Sequence, residues 1–224
     1  MLFRSAVLFV SVSACVGSIL FLRSTAVRQW RIEPRGKTSL FGPLTHAGFP
    51  SLLAVVLCYA SAFGLVEIGI TAYAKEAGAS AMAGALLGIM SIGSALGGLI
   101  YGSRSWRWPL VLQFPAMLVL MGLGIVPLAC ITATVPFALW CVVAGIAMAP
   151  ALIIQSMLVA RNSRADQATE AFTWSSTGLL AGVGLGLSLG GALLEHAQSP
   201  AAFAAAAALS VAGGMLARLT RRER

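Results

Sequence analysis

Charge is scarce in this chain. Of 224 residues only 10% are Asp, Glu, Lys or Arg, and seven are acidic, too few to cover a soluble surface, where roughly 25–35% charged residues are usual. Residues that carry chemistry are scarcer still. There are two histidines, His46 and His196, and no H-E-x-x-H, phosphate-binding glycine loop or pair of acids within one apolar segment. Metallopeptidase and ATP-driven pump chemistries therefore lack their parts. The four cysteines, Cys15, Cys58, Cys130 and Cys141, lie inside apolar stretches without paired spacing, which excludes a disulfide framework or a zinc site. Lys37 and Lys75 both fall between apolar stretches, so a retinal Schiff base is excluded as well. No metal, cofactor or catalytic residue is expected.

Apolar residues are abundant: 58% of the chain is hydrophobic and the mean hydropathy is +0.90. The apolar residues form seven runs, at 5–22, 50–74, 79–102, 109–130, 134–160, 171–194 and 200–217. Each has about the 20 residues needed to cross a hydrocarbon core about 30 Å thick. The expected fold is an all-α polytopic membrane bundle embedded in a lipid bilayer. A single membrane helix (1–22) is followed by a basic cytoplasmic loop (23–49), a six-helix bundle (50–217) and a cytoplasmic tail (218–224).

The net charge of +8 would suggest nucleic acid in a soluble protein, but here the basic residues sort by topology. If loops alternate sides, 13 of the 15 Lys and Arg residues lie on one side, in loop 23–49, at Arg104 and Arg107, at Arg161 and Arg164, and in the tail. Arg4 and Lys75 lie on the other. The positive-inside rule then places the N-terminus outside and the C-terminus in the cytoplasm, with no nucleic-acid partner. Val12-Ser-Ala-Cys15 resembles a lipoprotein cleavage box, but cleavage there would put the arginine-rich loop outside, against that count.

Sliding the chain by 93 residues aligns Leu86–Ile100 with Leu179–Leu193, identical at six of fifteen positions, including Gly93 with Gly186 and Gly97, Gly98 with Gly190, Gly191. The two segments cross the membrane in opposite directions, and each is second in a group of three. A 3 + 3 inverted repeat, as in half of a secondary transporter, predicts this arrangement. Gly178, Gly182, Gly186 and Gly190 recur every four residues and predict a smooth helix-packing face. Gly84 and Gly88, Gly93 and Gly97, and Gly98 and Gly102 suggest the same device in the third run.

These residues resemble the major facilitator superfamily. Gly93-Ser-Ala-Leu-Gly-Gly-Leu-Ile-Tyr-Gly-Ser-Arg104-Ser-Trp-Arg107 is similar to the degenerate copy of that family's cytoplasmic signature loop, with Gly98, Gly102, Arg104 and Arg107 as its signature positions. Thr169-Glu-Ala-Phe-Thr-Trp174, the glycine stripe and Gly190-Gly-Ala-Leu-Leu-Glu195 resemble the eleventh helix of bacterial members. The resemblance implies a bacterial permease or efflux transporter, with 5–22 as a sixth helix and the rest as helices seven to twelve. A missing N-terminal half, or a second copy, would complete it; a non-transporting membrane subunit or a truncated, inactive transporter remnant is the other reading. The chain departs from the signature at Gly102 and Ser103, where an acidic residue is expected.

Of 22 charged residues, only Glu67 falls inside an apolar run, and an ionisable group at membrane depth marks a functional site by default. Tyr59, Phe63, Glu67 and Thr71, spaced four apart, predict an aromatic and polar stripe facing a central cavity. Desolvated there, Glu67 would take up a proton or pair with a cationic solute. The family resemblance also implies an acidic residue at the substrate site in this helix. Gln113 and Gln155 are weaker candidates, suited to hydrogen bonding between helices, and Gln155 follows Pro150, which frees a backbone carbonyl in its helix. Trp174 reads as an interface anchor. Gly186-Leu-Ser188-Leu-Gly190 matches a nucleophile elbow, but it lies within a helix and no base is placed near it. The expected activity is secondary transport of a small solute by alternating access, with proton coupling.

Overall fold

A computed structural model describes residues 2–24, 42–46 and 48–222. It divides into two units, Met1–Lys37 and Thr38–Arg224. The first contains α1 (Leu2–Arg23), a continuous 22-residue helix that includes the first apolar run. Most of the predicted loop 23–49 lies outside the described residues.

The second unit is helical throughout its described length, with no strand among the described residues. Its helices are α2 (Phe49–Glu76), α3 (Met82–Gly102), α4 (Leu110–Ile125), α5 (Thr134–Gly145), α6 (Met148–Asn162), α7 (Ala168–Leu194) and α8 (Ser199–Arg222). With a 3-10 turn at Val126–Ala129 extending α4, and with α5 and α6 taken as one crossing, six segments are long and apolar enough to span a membrane. The predicted tail is partly helix, since α8 runs on through Arg218 to Arg222. Arginine is a good helix former, and its charge suits a helix C-terminus.

Prolines account for the irregularities. Pro150 has no N–H to give the Ile146 carbonyl, and the crossing formed by α5 and α6 breaks at Ile146–Ala147. Pro115 likewise leaves the Val111 carbonyl in α4 without its usual helical donor.

The helices cross where side chains are missing. A Cβ on Gly186 would lie 2.0 Å from the Ser61 carbonyl oxygen, and one on Gly64 would lie 2.3 Å from the Val183 oxygen and 2.8 Å from the Leu187 nitrogen. The α2 and α7 backbones thus touch reciprocally. The same cross recurs between α3 and α5: Gly93 meets the Val142 oxygen at 2.0 Å, and Gly145 meets the Met90 oxygen at 2.2 Å and the Ser94 nitrogen at 3.0 Å. Adding 93 to Met90, Gly93 and Ser94 gives Val183, Gly186 and Leu187, while adding 81 to Ser61 and Gly64 gives Val142 and Gly145. Two crossings of opposite direction therefore share one contact, residue for residue. Gly97 continues the α3 face, its Cβ position 1.9 Å from the Ile146 oxygen, the carbonyl that Pro150 releases.

Gly178, Gly182 and Gly190 lie against Leu53, Ala60 and Ile68 of α2, so the α7 stripe is buried along its length. In α3, by contrast, added Cβ atoms at Gly84, Gly88 and Gly102 would meet nothing within 4 Å. Nine residues turn a helix by about 180°, which puts Gly84 and Gly88 opposite Gly93 and Gly97.

This contrast gives opposite signs for one substitution. Gly93→Ala and Gly186→Ala should each destabilise the protein by about 1–3 kcal/mol, because a backbone must move. Gly84→Ala and Gly88→Ala should be neutral or stabilise by up to about 1 kcal/mol through helix propensity. Thermal unfolding of the four variants in one detergent would check both.

Candidate functional site

Glu67 lies 18 residues into α2, about 27 Å along a helix about 42 Å long. Its side chain is exposed at the edge of a recess of about 360 Å³, formed by α2, α3 and α6 and lined also by Phe63, Ser91, Ser94, Met148 and Leu152. The recess walls combine apolar surface, two hydroxyls and one carboxylate. The expected four-residue stripe does not hold together on this surface. Each four-residue step rotates about 40°, so Tyr59 and Thr71 diverge by about 120°. Tyr59 is fully buried, its ring edge-on to Phe63 at 5.4 Å and to Phe114 at 5.9 Å. Phe63 is half-buried between the two environments. Thr71 is exposed, donates to the Glu67 backbone oxygen at 2.9 Å, and borders a different recess with Lys75 and Glu76. Glu67 itself stands open at its recess, where a desolvated carboxyl was expected.

A second polar centre is closed. The Gln155 side-chain amide donates to Ser175 Oγ at 2.6 Å, joining α6 to α7, and both residues are buried. Among the described residues, the buried side-chain polar atoms without a partner are Gln155 Oε1 and the Tyr59 hydroxyl. Leaving such an atom unsatisfied typically costs about 1–3 kcal/mol.

Gln113 serves a third place. It accepts from the Tyr101 hydroxyl and donates to the Trp108 carbonyl, binding the end of α3 to the start of α4. Trp106 stacks on Tyr101 at 5.2 Å, donates its indole N–H to the Tyr101 carbonyl at 3.0 Å, and carries the Arg104 guanidinium 6.0 Å above its ring. The signature loop is thus held by an aromatic and amide clasp. Gly98 faces Ala149 of α6, while Gly102, Arg104 and Arg107 are exposed. Trp174 is half-buried against Phe49, Val159 and Ala171. Ser188 donates to the Gly184 carbonyl of its own helix at 2.9 Å, an ordinary mid-helix serine. Among the described residues no three His, Cys, Asp or Glu side chains are grouped to hold a metal ion.

Three contacts escaped the sequence. Ser175 has no mark distinguishing it from other helical serines. Glu76 accepts from the Ser199 backbone N–H at 2.8 Å and from Ser199 Oγ at 2.6 Å, so the end of α2 caps the start of α8. His46 Nε2 lies 2.9 Å from Gln167 Oε1, linking the turns that precede α2 and α7. Each pairs residues more than a hundred positions apart except Gln155 with Ser175, and none has a local pattern.

Six segments long and apolar enough to cross a membrane, joined by duplicated glycine crossings, define a polytopic helical membrane bundle. The chain matches the family model described as Major Facilitator Superfamily over residues 52–224 and belongs to that family. Comparison with curated proteins and with solved structures finds no match. The chain is accordingly an integral membrane protein and a transporter of the major facilitator kind, a family of transporters and not of enzymes.

The clasp around Gln113 can be tested by a double-mutant cycle. Tyr101→Phe and Gln113→Leu should each cost about 1–3 kcal/mol by stranding the other's buried polar atom. The pair together should cost clearly less than the sum, as read from unfolding in detergent.

Proposed function

We propose that this protein moves a small solute by alternating access, with Glu67 as the group that takes up a proton or pairs with a cationic solute. The observation that carries this reading is the convergence of α2, α3 and α6 on one recess at the only charged side chain in the interior of a span. A carboxylate cut off from water must be neutralised by a proton or a cation. Closing the recess forces that choice and reopening it reverses it, which links ion uptake to the state of the bundle. Phe63 couples the recess to Tyr59 through their ring contact. The unpaired oxygens of Tyr59 and Gln155 supply solute contacts when the helices part, with Gln113 and Thr71 placed as supports at either end. An amphiphilic or cationic solute suits a site with one acid and mainly apolar walls.

The arginine-bearing end of the bundle is assigned to the cytoplasm, with the N-terminus outside, in a bacterial cell membrane. A second six-helix unit, an N-terminal half or another copy, completes the pathway. In support, α7 exposes Thr169, Thr173, Ser176 and Thr177 along a groove of about 550 Å³. Thr173 donates to the Thr169 carbonyl of its own helix at 2.9 Å, and a polar partner, unlike lipid tails, offers the row further hydrogen bonds.

Glu67 can be tested in everted membrane vesicles holding a pH gradient, with ethidium as a lipophilic cation probe. Ethidium should discharge the gradient with the native chain and with Glu67→Asp. Glu67→Gln should slow the discharge at least about tenfold, a barrier change of about 1.4 kcal/mol. Unchanged discharge by Glu67→Gln removes this residue from the coupling.

A further inference from the structure

The two ends of the bundle interior are filled differently. At the end away from the arginines, Tyr73 stacks on Phe137 at 3.7 Å with rings 4° from parallel, Phe203 packs on Phe137 at 5.8 Å, and the Tyr73 hydroxyl donates to the Thr132 carbonyl at 2.8 Å. At the arginine-bearing end the space between α2, α4, α6 and α8 holds a cavity of about 340 Å³ walled by Leu52, Val55, Val111, Phe114, Leu158 and Ala217. Protein interiors are close-packed with few voids larger than a water molecule, and an apolar cavity takes apolar ligands in preference to water. The volume lies within the roughly 300–1,000 Å³ of small-molecule sites. Asn162 and Thr220 stand at its rim, their side chains donating to the Leu158 carbonyl at 2.8 Å and the Leu216 carbonyl at 3.1 Å of their own helices.

Three arginines are chain neighbours of its lining: Arg161 adjoins Asn162, Arg218 adjoins Ala217, and Arg107 lies in the loop four residues before Val111. All three are exposed, and the ion pair among the described residues is elsewhere, between Arg164 and Asp166 at 3.4 Å. A largely apolar pocket whose neighbouring chain positions carry exposed arginines, without an ion pair among the described residues, matches an amphiphile with an anionic head and a hydrocarbon tail.

We infer that the cavity between α2, α4, α6 and α8 binds one acyl chain of an anionic phospholipid from the surrounding bilayer, with the lipid phosphate held by Arg107, Arg161 and Arg218. The site is separate from the Glu67 recess, which α2, α3 and α6 form, and it does not depend on the transport reading.

The test uses the full chain in neutral detergent, with phosphatidylglycerol and phosphatidylcholine carrying identical chains. Native mass spectrometry should show one retained phosphatidylglycerol, preferred over phosphatidylcholine at least about fivefold. Replacing Arg107, Arg161 and Arg218 together by Gln should abolish the preference. Ala217→Trp, which fills the cavity, should abolish retention while keeping the thermal midpoint. Should Ala217→Trp fail to fold, the native chain decides by photo-crosslinking to phosphatidylglycerol with a diazirine in its tail. Adducts on peptides containing Phe114 or Leu158 are expected. Adducts confined to outward-facing peptides such as that of Leu139, equal retention of both lipids, or full retention by a folded Ala217→Trp variant would each overturn the proposal. So would binding of free dodecanoate in the cavity without binding of phosphatidylglycerol.

Discussion

Backbone meets backbone at Gly186 and Ser61, and again at Gly93 and Val142, with no side chain between them. Within lipid, helices gain nothing by hiding apolar surface from one another, so association rests on close van der Waals contact and on weak Cα–H···O contacts. The other positions in the bundle follow from those two crossings. They turn Ser61 and Gly64 of α2 toward α7 and leave Phe63 and Glu67 of the same helix beside α3 and α6. The acid therefore comes to lie where three helices converge, because a neighbouring face of its helix is committed to glycine.

The prolines act on the same contacts. Pro150 breaks the crossing formed by α5 and α6, and the carbonyl it releases, that of Ile146, abuts Gly97 at the end of the α3 face. A crossing built from two shorter helices can bend at the break without unzipping either half. Such a joint lies beside smooth glycine contacts, where two helices meet without interlocking side chains. Pro115 works at the opposite side of the interior, where Val111 and Pro115 both border the apolar cavity at the arginine-bearing end. The interior is thus packed with aromatic rings toward one end of the bundle and open toward the other.

Helix count and class were legible in the residues because burial in hydrocarbon is decided residue by residue and sums along a run. The stretch at 5–22 is helical over its length as well. The candidate site was half legible. Glu67 stood out as the charge within an apolar run, and the α7 stripe stood out by spacing. The Tyr59 to Thr71 stripe failed because spacing of four drifts around a helix of 3.6 residues per turn. Gly84 and Gly88 looked equivalent to Gly93 and Gly97 but face the other way. Gln113, unremarkable among apolar neighbours, proved to be the hinge-pin of the signature loop through Tyr101 and Trp108.

The residue order alone determined a six-crossing bundle with its arginines gathered at one end, one acid held at depth, and a repeat written at an offset of 93. Transfer from water to lipid is a local free energy, and a list of residues contains it. Which glycines touch, which stripe turns inward, which carboxylate caps a distant helix and where the interior stays empty were decided by tertiary structure. Those depend on the angle and height at which helices far apart in the chain meet, and no single helix carries that information.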